Sequence, residues 1–178
     1  MNNKLTISIG IVLAITMFSF FNTSEVQGQV SITESVEEIM PQSPSARIAQ
    51  QLLQNLEAKN ADAIAQLWTQ EAIYELPYAL PGNPSQLQGK EAAQQNIIRI
   101  IAMFERIEFE QVRFYPTQDP NIVLVETQGN FVVAGSGKAY RNKYIAVIQT
   151  QNDQIVLLRE YFNPLIIAET FGINLAPN

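Results

Sequence analysis

The chain has 178 residues, is 47% hydrophobic, carries a formal charge of −6, and contains neither cysteine nor histidine. Without cysteine there are no disulfides, no thiolate chemistry and no lipid attachment at a thiol. Without histidine there is no Ser–His–Asp or Cys–His mechanism and no histidine metal site, so any proton transfer falls to Asp, Glu, Lys or Tyr.

Lys4 precedes an apolar run over residues 5–21, and Val26-Gln27-Gly28 supplies a small-residue exit. That pattern predicts a secretory signal over residues 1–28 and an exported protein, in the periplasm or outside the cell. The alternative is an uncleaved N-terminal anchor, since 17 apolar residues approach the ~20 needed to span a bilayer. Cleavage leaves 150 residues, enough for one domain with a real core. It removes Lys4 and Glu25, so the net charge stays at −6. An acidic surface with no basic stripe argues against nucleic-acid binding and against anionic lipid.

Residues 29–45 are polar, with Pro41 and Pro44, and read as a linker before a domain over 46–178. Ile48, Leu52, Leu53 and Leu56 recur at spacings of three and four and predict a helix over 47–59. Asp62 is placed to cap a second short helix running through Trp68. A first strand is expected over 72–77, then a loop rich in Pro and Gly. Ala93, Ile97, Ile100, Ile101 and Phe104 form the apolar stripe of a long helix over 90–107.

The period then changes from about 3.6 to 2. Strands are predicted over 108–115, 122–133, 139–150 and 154–162, joined by turn residues at Pro116 and Pro120, at Gly135-Ser136-Gly137 and at Asn152-Asp153. They should pair antiparallel in order, with a short helix over 165–171 after Pro164. Helices first and strands later give an α+β class, with N-terminal helices packed on a strongly curved antiparallel sheet. The late strands are apolar on both faces, so helices should cover one face and a second subunit the other, which predicts a homodimer.

Leu158-Arg159-Glu160-Tyr161-Phe162-Asn163-Pro164 and Tyr140-Arg141-Asn142-Lys143-Tyr144 carry a resemblance. With the order of elements, they resemble the NTF2-like cone fold and its SnoaL-like branch. The ending through Phe171-Gly172-Ile173 is similar to that of phenazine-biosynthesis A/B-type proteins. The likeness covers roughly residues 46–173. It implies a conical cavity for a small organic molecule and places Glu160 where those proteins carry their proposed proton carrier. This chain departs from that pattern at Lys143, where those proteins tend to carry histidine. The position of the ketosteroid-isomerase base looks like Leu76, so the steroid mechanism is not implied.

Glu160 is the candidate catalytic residue, because a carboxyl among apolar and aromatic neighbours loses its preference for the charged form. The turn at Asn152-Asp153 leaves two arrangements open. An unbroken two-residue hairpin sets Glu160 opposite Ile145 with Lys143 diagonal to it, and a structural salt bridge follows. A bulge shifts the partner to Tyr144 or Ala146 and makes Glu160 a pocket acid.

Glu126 and Glu75 are further buried carboxyl candidates. A carboxylate pair would suit glycoside hydrolysis or a hard cation, but no spacing supports either, and no metal site is expected. Tyr74, Tyr140, Tyr144 and Phe162 are expected to line a ligand pocket, with Tyr78 and Trp68 as further aromatics and Trp68 read as core. Asn142 would either orient a ligand carbonyl or satisfy a strand neighbour. Gly135-Ser136-Gly137-Lys138 fails as a phosphate loop, because Val132 and Ala139 stand where that motif needs a glycine and a Ser/Thr. No cofactor is expected. The function read from the residues is an exported protein binding a small apolar or carbonyl-bearing molecule, or a cofactor-free acid–base enzyme using Glu160.

Overall fold

The computed structural model describes residues 43–175. The apolar run, the cleavage pattern and residues 29–42 lie outside the described residues.

Helix α1 spans Pro44–Glu57, so it opens inside the segment read as a linker. Proline at the first helical position suits a helix start, and the Ser43 hydroxyl accepts a hydrogen bond from the Ala46 amide at 3.2 Å. Ala49 and Leu52 are buried on its inner face. The short α2, Ala61–Gln66, is capped by Asn60 and not by Asp62, because Asn60 Oδ1 accepts from the Ala63 amide at 3.1 Å. Trp68 is not helical. It opens strand β1, Trp68–Glu75, and is wholly buried.

After a short β2 (Gln86–Gln88), helix α3 covers Lys90–Ala102. It stops five residues before the expected end, and Phe104–Arg106 forms β3. The stripe holds nonetheless, since Ala93, Ile97, Ile101 and Phe104 are all buried. Strands β4 (Phe109–Pro116), β5 (Ile122–Val133), β6 (Ala139–Gln151) and β7 (Gln154–Phe162) follow, then α4, Pro164–Phe171.

The sheet runs β2-β1-β7-β6-β5, with β3 and β4 sharing the far edge of β5. It is curled, not closed. β4 to β7 pair antiparallel in order, as the turn chemistry predicts. The pairing of β1 with β7 is parallel, and no local signal announces it.

Asn152 and Asp153 both have positive φ, 52° and 57°, the backbone of a tight hairpin turn whose twist matches its strands. Gln151 pairs with Gln154 and Thr150 with Ile155, but Gln149 then pairs with Leu157. Val156 is therefore an extra residue. This bulge moves every later partner by one, so Glu160 lies opposite Ala146 and not Ile145. The salt bridge to Lys143 does not form, and Lys143 is exposed.

Candidate ligand cavity

Along β5 the odd-numbered residues point into the curl, and along β6 the even-numbered ones do. Val123 sits opposite Ile148, Val125 opposite Ala146, Thr127 opposite Tyr144 and Phe131 opposite Tyr140. On β7 the bulge turns Leu158, Glu160 and Phe162 to the same side. Tyr74 arrives from β1 beside Leu158. These side chains, with α1, α3 and α4 packed over them, surround a cavity of about 470 Å³. Its lining is mostly aliphatic and aromatic. Glu160 is its one carboxyl group and Arg99 its one cation among the described residues.

Glu160 is partly exposed, and it lines this cavity. Its Oε2 accepts a hydrogen bond from the buried Tyr74 hydroxyl at 2.6 Å. No lysine or arginine among the described residues pairs with it. Burial raises the Glu160 pKa above the ordinary carboxylate range, and the Tyr74 bond opposes that shift. The same contact, with burial foremost, pushes the Tyr74 phenol well up. A carboxyl of this kind has its proton affinity set by loss of water, with one phenol to steady the anion when it forms.

A second polar group lies on β6. Tyr144 donates to Tyr140 Oη at 2.9 Å, and Asn142 Nδ2 donates to the same oxygen at 2.9 Å. Burial raises both phenol pKa values, and the two bonds into Tyr140 oppose its rise. Both tyrosines feel the charge of Glu160.

Asn142 itself does not line the cavity. It is buried, donates also to the Asn163 carbonyl at 3.0 Å, and accepts from the Lys143 and Asn163 amides. All its hydrogen-bonding capacity is used within the protein. Of the two roles open to it, it satisfies its neighbours: it ties β6 to the start of α4 and holds the Tyr140 hydroxyl.

Glu126 is misplaced in the sequence reading. It falls opposite Ile145, on the outer face, where it is exposed and accepts from the Tyr115 hydroxyl at 2.7 Å. Glu75 also faces outward, paired with Arg159. Tyr78 is 55% exposed and packs edge-on against Tyr161. Tyr74, Tyr140, Tyr144, Phe162 and Glu160 do converge on one cavity.

Two further residues shape this wall. Phe131 meets Phe104, Phe109 and Tyr140 at ring distances of 5.0, 5.3 and 5.5 Å and stacks on Tyr144 at 6.2 Å. Gly129 lies beneath them, where an added Cβ would come within 2.9 Å of ring carbons of both Phe131 and Tyr144. A glycine inside an otherwise regular strand is the signal that would have found this close approach.

The SnoaL-like domain model matches residues 49–158. An uncharacterised PhzA/B-like protein of Pseudomonas aeruginosa is 33% identical over 120 residues, 67% of this chain and 84% of that protein. The crystal structure of a candidate isomerase from Bacillus subtilis superposes with a TM-score of 0.69 at 30% identity, covering 75% of this chain and 96% of that one. An NTF2-like protein from Anabaena variabilis shares the fold, with a TM-score of 0.58 at 21% identity over 67% and 90% of the two chains. So does a Mycobacterium tuberculosis protein solved in complex with estradiol-17beta-hemisuccinate, with a TM-score of 0.62 at 18% identity over 70% and 98%.

Proposed function

The chain belongs to the SnoaL-like domain family, and on that premise we propose that it binds a small, largely apolar molecule in this cavity, with Glu160 against the ligand. The reading rests on one observation. A lone carboxyl, bonded to a phenol and to no cation among the described residues, lines a mostly apolar space of ligand size. That a protein of the same fold was solved with a steroid ester supports the ligand class. Native mass spectrometry of the protein purified from its own host tests it, with a co-purifying small molecule as the expected result. Protein that carries nothing and takes up no apolar probe rejects it.

A second reading is cofactor-free acid–base catalysis, with Glu160 moving a proton on a carbonyl-bearing ligand. It is favoured by the direction in which burial moves Glu160, since a carboxyl that loses its preference for the charged form is better able to give a proton as well as take one. Under this reading Glu160→Gln stops turnover of the co-purifying molecule and leaves its binding intact. Undiminished turnover by that variant rejects catalysis and leaves a carrier.

Export and self-association complete the proposal. Lys4, the 5–21 run and the Val26-Gln27-Gly28 exit support secretion. N-terminal sequencing of protein recovered outside the cytoplasm should begin at Gln29, and recovery of Met1 there indicates an anchor instead. The outer face of the sheet supports a homodimer. Ile145 and Tyr115 are 47% and 45% exposed there, and Leu124, Val147 and Leu157 are only half-buried. Lys143 and Glu126 on the same face give it charges of both signs, as a self-complementary surface needs. Light scattering should give a dimer mass for the parent protein and a monomer mass for Ile145→Asp.

A further inference from the structure

The Tyr140–Tyr144 pair holds one more hydrogen than its surroundings use. Two phenols carry two O–H groups, and one of these is spent on the bond between them. Asn142 cannot take the other. Its Oδ1 already accepts from two backbone amides, which fixes Nδ2, a pure donor, against Tyr140 Oη. Whichever tyrosine donates to its neighbour, one phenol proton has no acceptor among the described residues. A phenol is equally able to give and receive, so an oxygen acceptor in the cavity can turn the pair round. Asn142 then donates to Tyr140, Tyr140 to Tyr144, and Tyr144 to the newcomer. Each donation in such a chain strengthens the next. Tyr144 is the more exposed member of the pair, and both line the cavity that Glu160 lines.

We infer that the Tyr140–Tyr144 pair, anchored by Asn142, is an oxygen-recognition subsite, and that the ligand bears a carbonyl or comparably basic oxygen which accepts a hydrogen bond from Tyr144 on the wall beside Glu160. The inference rests on the small-molecule reading above and narrows its ligand class. A ligand that is hydrocarbon throughout leaves the spare phenol proton unpaired in an apolar space, and that is costly. Tyr144 touches the ligand, and Tyr140 and Asn142 are positioning residues that act through it. Gly129 belongs to the subsite as well, because only a residue without Cβ lets the Tyr144 ring lie flat on Phe131.

A matched pair of probes separates this subsite from plain apolar binding. 2-Acetylnaphthalene and 2-isopropenylnaphthalene have nearly the same shape and differ in C=O against C=CH₂. The parent protein should bind the ketone roughly tenfold tighter than the alkene, the worth of one neutral hydrogen bond. Its carbonyl stretch should shift to lower frequency on binding. Tyr144→Phe keeps the ring and its stacking. It should bring the two affinities together by weakening only the ketone, and should return the carbonyl stretch towards its value in an apolar solvent. Alkene binding, which needs no hydrogen bond, reports that the variant is folded. Tyr140→Phe should lose part of the ketone preference and part of the frequency shift. Equal affinities in the parent protein, or a preference and a frequency shift that survive in Tyr144→Phe, overturn the subsite while leaving the cavity a binding site. Failure of both probes to bind overturns the small-molecule reading and the subsite with it.

Discussion

Two acids one position out of step on the paired strands β1 and β7 meet opposite fates. Glu75 and Arg159 are register partners and point to the outer face, where they pair with each other within reach of solvent. Tyr74 and Glu160 point inward, where the carboxyl is bonded to a phenol and paired with no cation among the described residues. Outside, Glu75 has a guanidinium partner and water within reach. Inside, the apolar wall supports the proton. The sequence motif Arg-Glu therefore holds two residues with unrelated duties, separated by the pleat of one strand.

If the inner face is a packed wall and the outer one a solvated surface, the largest effects should come from the rings. Phe131→Ala removes the ring on which four aromatic contacts converge, and should cost about 3–5 kcal/mol in urea unfolding. Gly129→Ala tests the same wall by addition. Its Cβ has nowhere to go until two rings shift, and the loss should be about 1–3 kcal/mol.

The third prediction bears on the acids. In the folded protein the Glu160 pKa is raised above the unfolded value, so the native state holds this proton more tightly. Stability contributed by that proton is complete below the ordinary carboxylate pKa. It is lost as pH rises through the folded value. Glu160→Gln cannot ionise and keeps an oxygen for the Tyr74 hydroxyl. Thermal unfolding should show the variant more stable than the parent at pH 8 and matched with it at pH 4. A constant difference across that range would mean that the site does not set the proton affinity of Glu160. The smallest effect belongs outside. Glu75→Gln should lower the thermal midpoint only slightly, and added salt should erase the difference, because the pair it breaks is screened by solvent. A large, salt-independent loss there would erase the contrast between the faces.

Much of this was legible in the residues, and the failures have definite causes. β5 and β7 match their predicted bounds to the residue, because their apolar stretches lie between turn residues, Asn121 and Gly135 for one and Asp153 and Pro164 for the other. The predicted helix overruns α3 because Phe104 continues its stripe at the right spacing. The ring reaches the same core from β3 instead, so burial alone could not tell the two apart. Glu126 shares its face of β5 with Gln128 and Asn130, opposite the face of Val123, Val125 and Phe131, so an inward Glu126 goes against the strand's own alternation. Its pairing with the exposed Ile145 fixes it there. The bulge at Val156 has no glycine or proline to announce it, yet it determines which way Glu160 looks, so the sequence could pose the two registers and not choose between them. The parallel union of β1 and β7 joins distant segments and leaves no local trace.

That union has a consequence for how the protein is made. Tyr74 and Glu160 stand 86 residues apart in the chain. At synthesis rates of about 5–20 residues per second, β1 leaves the ribosome roughly 4–17 s before β7 exists. Throughout that interval the nascent helices and first strand hold an apolar flank with no wall opposite. The hollow is completed only when the last strand is threaded in beside the first. A chain stalled before Leu158 would expose the lining already made on β1, β5 and β6 and should be the species that a holding chaperone seizes.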